Sequence, residues 1–359
     1  MRVLQVITSL RIGGAEKLIV EMAKLYKDRG LQVDVLLFDG CSTPLKQELL
    51  DEGFNVFELS KGGSVYNPLF IFKLIKYLKA YDIVHTHNTA CQYFVVLAKL
   101  LSCSKLKLVT TEHNTTNRRR GMLGFKYIDR FVYNRYDKII AVSDKSASLL
   151  KQYLGGEYDI MAIANGINLT KFTQAEPLSY ADMGVGADSV VITMVAGFRE
   201  QKDQDTVIRA LVELPTGYIL CLVGDGPRRE ICQKLAVELG VSERVNFMGV
   251  RGDVPSILKS SDVIVMSSHW EGLSLSNLEG MSVGRPFVAS RVNGLEEITS
   301  GAGVLFEHQD YKELAEVVTR LMDDKDYYDA VAKSCLERAS DYDLSKTVNS
   351  YIEVYEEGN

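Results

Sequence analysis

A rhythm constrains this chain more than any single motif. Short β-rich runs at 3–8, 33–38, 56–59, 83–87, 106–111 and 138–142 alternate with segments whose apolar residues recur every three and four positions, as at 15–25 and 70–78. The alternation then restarts, with runs at 189–196, 218–223, 245–248, 263–266 and 286–289. Strand, helix, strand in steady succession gives right-handed parallel crossovers and a doubly wound sheet. Two such series in 359 residues predict two α/β domains, since one core seldom serves so long a chain. The break falls at about 168–185, where Pro177 and Gly184 interrupt an irregular polar stretch. The expected domains are therefore 1–170 and 171–342, each Rossmann-like, with a last helix from 343 onward that reaches back across the linker. Ligands of such sheets bind at the carboxyl edges of the strands, and two sheets facing each other would form a cleft there.

Composition narrows the class. No apolar run approaches the roughly 18 residues that would span a bilayer. The start, M-R-V-L-Q-V-I-T-S-L, meets Arg11 and Gly13-Gly14 with no small-residue cleavage site, and reads as a first strand. Six cysteines at 41, 91, 103, 221, 232 and 335 lack paired spacing, which fits a reducing cytosol better than a disulfide framework or a zinc site. The net charge of −6 hides an asymmetry: residues 1–171 carry 24 Lys/Arg against 16 Asp/Glu, and the remainder 17 against 31. A basic first half suits an anionic partner or membrane surface, or is uneven surface charge without consequence. Nucleic acid is a poor partner, because the whole chain is acidic and no readout motif occurs.

The most informative chemistry lies in E-G-L-S-L-S-N-L-E, which follows the run ending at Met266 and leads into a helical segment. A loop rich in Gly and Ser at a strand's carboxyl end points backbone N–H groups at an anion. With Glu271 before the loop and Glu279 in the helix's first turns, the unit can hold a diphosphate between two sugars. Arg199 and Lys202, after the first strand of the second half, suit a diphosphate leaving group and would form an opposite wall of that site. Gly224-Asp-Gly-Pro227 ends the next strand and permits close approach of a ligand, or simply turns. Gly13-Gly14 occupies the first strand-to-helix turn, but the spacing is not G-x-G-x-x-G, so hydride chemistry loses its best support.

His113, in T-T-E-H-N, stands where an imidazole could donate to a sugar hydroxyl or stabilise developing charge. His85 and His87 share a strand face. That is half of a metal site without a third ligand nearby in sequence, so core packing or a strand-end role is favoured. His269 adjoins Trp270 and Glu271 and reads as structural. No Asp-x-Asp pair is placed to hold a nucleotide's divalent ion, so no metal or cofactor is expected beyond a nucleotide-diphosphate sugar as co-substrate. The segment 117–136 interleaves Arg118, Arg119, Arg120, Lys126 and Arg130 with aromatics, as if to meet an anionic membrane or a phosphorylated acceptor. Phe125, Ile128, Phe131 and Val132 are spaced to form a buried helix face, which leaves those five cations exposed.

Taken together, G-G-A-E, D-I-V-H-T-H-N, T-E-H-N, V-S-D-K-S, A-N-G-I-N, F-R-E-Q-K-D, G-D-G-P and E-G-L-S-L-S-N-L-E-G-M-S-V-G-R-P make the chain resemble glycosyltransferase family 4 over nearly its whole length. The resemblance implies retaining enzymes of the two-domain GT-B fold, with the acceptor bound by the first domain and the nucleotide sugar by the second. It implies that Glu279 accepts from ribose hydroxyls and Glu271 from those of the transferred sugar. Backbone around Gly272, Leu273, Ser274, Leu275 and Ser276 would meet sugar or phosphate. Arg199 and Lys202 would bind diphosphate, His113 would lie beside the donor sugar, and Gly13, Gly14, Gly197, Gly224 and Val250 would complete the donor site. One departure stands out: the family's arginine directly follows the strand, where this chain reads Gly197-Phe198, so Arg199 comes about two positions late.

The function so implied is transfer of a sugar to a hydroxyl of a growing or lipid-linked surface glycan, with retention, in the cytoplasm or at the inner face of the membrane. A nucleotide-sugar epimerase and a non-catalytic donor-binding subunit remain as alternatives.

Overall fold

The computed structural model describes residues 1–11, 13–113, 118–122, 124–271 and 275–357. The chain forms two compact units, one of Met1–Gly166 joined by the segment from Leu344 onward, the other of Ile167–Asp343.

The first unit carries seven strands: β1 (Arg2–Ile7), β2 (Gln32–Asp39), β3 (Val56–Ser60), β4 (Ile83–Thr86), β5 (Lys107–Glu112), β6 (Lys138–Ala141) and β7 (Ile160–Ala162). They pair in parallel in the order β3-β2-β1-β4-β5-β6-β7. The second unit carries β8 (Val190–Val195), β9 (Tyr218–Val223), β10 (Val245–Gly249), β11 (Val263–Met266), β12 (Phe287–Ser290) and β13 (Val304–Phe306), in the order β10-β9-β8-β11-β12-β13. Both are the expected doubly wound sheets and follow one plan, to which β7 adds an outer strand. The short strands β7 and β13 escape the sequence pattern.

Runs such as V-L-Q-V-I and V-I-V-M are buried along nearly their whole length, as befits parallel strands covered on both faces. Leu4, Val6, Leu36, Val84, Leu108 and Ile139 form one core, and Ile192, Leu220, Leu222, Val265, Phe287 and Val288 another. Each such side chain contributes about 1.5–3 kcal/mol on leaving water. In each sheet the strand order reverses between the first and fourth strands, β1/β4 and β8/β11, where crossovers leave opposite faces.

The last helix, Leu344–Glu356, belongs to the first unit and buries Tyr351 and Tyr355. Lys107 Nζ donates to the carbonyl of Val354 at 2.6 Å, which ties the helix end to β5. At the start of this helix Gly166 lies so near the chain that a Cβ there would sit 2.7 Å from Leu344 Cα. Glycine is what permits the approach.

Candidate active site

In the second unit, two loops cross at the carboxyl edge of the sheet. Beyond β8 the chain turns through Ala196, Gly197 and Phe198, and Phe198 N–H donates to the carbonyl of Asp225 at 3.0 Å. Gly224 adopts φ +136°, and a Cβ on it would sit 2.2 Å from Ala196 O, so only glycine fits at this crossing. Gly197 faces the carbonyl of Asp225 with more room.

From there the chain runs alongside the loop that follows β11. Lys202 and Ser268 form an isolated antiparallel bridge, His269 N–H donates to Gln201 O at 2.9 Å, and Asp203 N–H donates to Ser267 O at 3.1 Å. Lys202 is thereby laid against Glu271, and the two form an ion pair whose side chains are 15% and 6% exposed. The Glu271 carboxylate also accepts from Ser268 Oγ at 2.9 Å and from Gln201 Nε2 at 3.3 Å. Lys202 and Glu271, expected as parts of opposite walls, are direct partners here. A cation and a carboxylate so fixed offer a ligand both a charge for phosphate oxygens and an acceptor for hydroxyls.

Arg199 is exposed and makes no ion pair among the described residues. Glu279 is buried in the helix Leu275–Met281, Leu275 and Ser276 open that helix, and Val250 is exposed beyond β10. Gly272, Leu273 and Ser274 lie outside the described residues.

In the first unit a chain of neutral polar groups runs across β1, β4 and β5. His85 on β4 and Gln5 on β1 are register partners. His85 Nδ1 lies 2.6 Å from Tyr355 Oη and its Nε2 lies 2.8 Å from Thr111 Oγ1. His87 Nε2 meets Gln5 Oε1 at 2.6 Å, and its Nδ1 meets His113 Nε2 at 3.1 Å. Burial holds all three imidazoles neutral: His85 and His87 fall well below the usual histidine range, and His113 is pushed down to about 4. The expected packing role of His85 and His87 thus takes the form of a hydrogen-bonded chain ending at His113, which sequence spacing alone does not connect.

Gly13 is extended, and its carbonyl accepts from Lys17 N–H at 3.1 Å as the helix Gly14–Asp28 begins. A Cβ on Gly13 would meet the Glu16 carboxyl at 2.2 Å, and burial raises the pKa of that carboxyl. Glu16, the last residue of G-G-A-E, is thus the side chain that packs against the glycine pair.

The basic segment departs from expectation. In the helix Phe125–Tyr133 the buried residues are Asp129, Val132 and Tyr133, while Ile128 and Phe131 are exposed, as is Tyr127 at 73%. Asp129 turns inward, its carboxylate accepting from the hydroxyls of Tyr93 and Tyr153, the latter at 2.8 Å; of the expected apolar face Val132 is buried and Phe125 half-buried, whereas Ile128 and Phe131 are turned out. Arg120 is not a surface cation either. Its guanidinium lies 3.2 Å from Glu112, with both side chains largely buried, and stacks over the Tyr153 ring. Arg130 donates to the carbonyls of Leu154 and Gly155 and so caps the helix Asp144–Leu154, whereas Lys126 is half-buried. The side chains of Arg118 and Arg119 lie outside the described residues.

A further cluster joins residues far apart in sequence. Asp203, His269 and His308 bring three metal-ligating atoms within 4.8 Å of one another. His269 Nδ1 and His308 Nε2 already share a hydrogen bond of 2.8 Å. The Asp203 carboxylate accepts from Thr206 N, Thr206 Oγ1 and Ser267 Oγ, capping the helix Gln204–Glu213. The bonds that position Asp203 thus go to Thr206 and Ser267, and within the trio the hydrogen bond joins the two histidines.

Comparison with known proteins bears on both units. The family description Glycosyltransferase Family 4 matches residues 12–171, and Glycosyl transferases group 1 matches residues 182–337. An Escherichia coli UDP-Gal:alpha-D-GlcNAc-diphosphoundecaprenol alpha-1,3-galactosyltransferase is 27% identical, over 90% of this chain and 89% of its own. The lipopolysaccharide core biosynthesis glycosyltransferase LpsD of Rhizobium meliloti is 28% identical, over 87% and 85%. Among solved structures, Anabaena HepE in complex with UDP and glucose superposes with a TM-score of 0.83 at 22% identity, covering 99% of each chain.

Proposed function

The chain belongs to the glycosyltransferases, with a Family 4 first half and a group 1 second half, and we propose that it moves a sugar from a nucleotide-diphosphate donor to a hydroxyl of a glycan or lipid-linked acceptor, with retention of anomeric configuration. The observation that carries this reading is the Lys202–Glu271 pair, fixed between the loops that follow β8 and β11, the two strands at which the strand order reverses.

In this reading Lys202, joined by exposed Arg199, receives the diphosphate. Charge grows on that leaving group as the glycosidic bond breaks, and fixed cations stabilise it. Glu271 accepts from hydroxyls of the transferred sugar, and Glu279 from those of the ribose. Backbone at 272–276 completes the donor site, Gly13, Gly14 and Gly197 leave room for phosphate, and Val250 lies toward the base. No protein nucleophile is assigned. A departing diphosphate oxygen takes the acceptor's proton while the new bond forms on the same face, with His113 beside the donor sugar. Neither a metal nor a cofactor is assigned a role.

The relatives support a lipid-linked or surface-glycan acceptor, since one is named for a diphosphoundecaprenol substrate and another for lipopolysaccharide core biosynthesis. Among the described residues no helix is long and apolar enough to cross a membrane. The exposed Tyr127, Ile128 and Phe131, with Lys126 on the same helix, supply an apolar and basic surface suited to peripheral contact with anionic lipid at the inner face of the membrane.

A thermal-shift panel of nucleoside diphosphates and their sugars tests the donor site, because binding to the folded state raises the melting temperature. Uridine derivatives head the panel, given the names of the E. coli relative and the HepE complex. The expected result is a shift with one base that Glu279→Ala abolishes. A Glu279→Ala variant with normal donor affinity and turnover would overturn the site, and a product of inverted configuration would overturn retention alone.

A further inference from the structure

We propose that Gln5 is a positioning residue that sets the tautomer of His113, so that His113 meets its ligand through an unprotonated Nδ1, as a hydrogen-bond acceptor. The inference rests on the reading of His113 as a neighbour of the donor sugar and specifies what that imidazole can recognise.

The argument follows one proton after another. Gln5 is buried on β1, with its amide nitrogen 3.1 Å from Tyr355 Oη and its amide oxygen 2.6 Å from His87 Nε2. An amide oxygen only accepts, so His87 carries its proton on Nε2 and its Nδ1 holds a lone pair. His113 Nε2, 3.1 Å from that Nδ1, is then the donor, and a neutral His113 is left without a proton on its own Nδ1. The shifts of all three histidines below the usual range keep them neutral at physiological pH, so no second proton upsets the order.

The far end of the chain of bonds is closed as consistently. The Tyr355 hydroxyl accepts from Gln5 and also lies 3.4 Å from Tyr26 Oη; with its one proton directed to the much shorter contact, His85 Nδ1 at 2.6 Å, His85 carries its own proton on Nε2, facing Thr111 Oγ1 at 2.8 Å. Tyr351 Oη lies 3.1 Å from the same threonine oxygen. Turning the Gln5 amide over would reverse every bond from Tyr355 to His113. It would also place an N–H against the His87 nitrogen at 2.6 Å, a separation already short for N–H···O. The last helix thus reaches His113 through a single amide, and a hydroxyl of the ligand, not its carbonyl or phosphate oxygen, is the group that Nδ1 can bind.

Two-bond 15N–1H correlation spectra of the full chain labelled in histidine read the tautomers directly and need no substrate. Nε2–H forms are expected for both His87 and His113. Tyr355→Phe removes the hydroxyl that fixes the amide, and should raise the Nδ1–H form of both residues and lower kcat about tenfold while leaving the donor KM within about twofold, as for loss of one oriented hydrogen bond. Gln5→Leu should mix the tautomers more fully, and Gln5→Glu, which keeps an acceptor toward His87, should restore the Nε2–H form. An Nδ1–H form of His113 in the native protein, or tautomers unmoved by Tyr355→Phe, overturns the proposal whatever the enzyme transfers. Tautomers that move while kcat stays constant refute the positioning role and leave the transferase reading standing.

Discussion

The two sheets share a strand order yet solve the same local problem with opposite chemistry. At the β1/β4 edge the functional candidates are neutral and joined by hydrogen bonds through His85, Gln5, His87 and His113. At the β8/β11 edge they are charged, and Lys202 and Glu271 are held together by a loop-to-loop bridge. Net charge does not foretell this. The basic half uses Arg120 and Arg130 in internal contacts, while the acidic half places cations at its strand ends. Domain charge reports on surfaces, whereas site charge depends on which side chains the loops bring face to face.

The contrast can be broken most forcefully at Lys202. Lys202→Met leaves the buried Glu271 carboxylate with only neutral partners, and should cost roughly 3 kcal/mol or more in denaturant unfolding and on the order of 10³ in kcat/KM. An unchanged unfolding midpoint would show that the pair does not hold the two loops together.

Glycine substitutions come next, because both units depend on a close approach. Gly224→Ala must move the Ala196 carbonyl or give up φ +136°, at a cost of about 2 kcal/mol, and should weaken nucleotide binding. Gly166→Ala should cost a similar amount by pushing the last helix off the first unit, and should appear as faster hydrogen exchange around Tyr351 and Tyr355 with nucleotide binding intact. Equal effects of both changes on binding would erase the distinction between the units.

Acid sharpens the comparison more gently. His113 has a folded pKa of about 4, below the ordinary histidine value of about 6.5. Above that ordinary value neither state is protonated and no stability depends on the group. As pH falls toward 4 the unfolded chain takes up a proton that the folded chain refuses, so stability is lost. His85 and His87 act in the same direction. Melting of the first unit should therefore fall across this window ahead of the second, and His87→Gln should flatten the slope. The smallest effect belongs to Phe131→Ser: its exposure predicts a change within about 0.5 kcal/mol in stability, but a clear loss of cosedimentation with anionic vesicles.

Much of the architecture was legible because parallel strands covered on both faces are written as continuous apolar runs, as in β1, β9 and β11. Three-residue strands such as β7 and β13 leave too short a pattern to detect. The helix Phe125–Tyr133 misled for a different reason. Its inward face is set by Asp129 accepting from Tyr93 and Tyr153, and no periodicity encodes partners that distant. At the candidate site, the residue types and their strand ends could be read, but not their pairing. Lys202 and Glu271 lie 69 positions apart, and His87 and His113 lie 26 apart. Asp203, His269 and His308 come together by the same closing of loops, and no local spacing points to that group.

The Tyr355 contacts have a consequence for biogenesis. A ribosome emits β1 through β7 long before it emits the tyrosines that close their polar core, so the lobe made first must wait for the whole of the other lobe before it can be finished. Until then the Gln5 amide nitrogen and His85 Nδ1 lack the Tyr355 hydroxyl, and a nascent chain halted before residue 344 should hold a complete second sheet beside an unsealed first one.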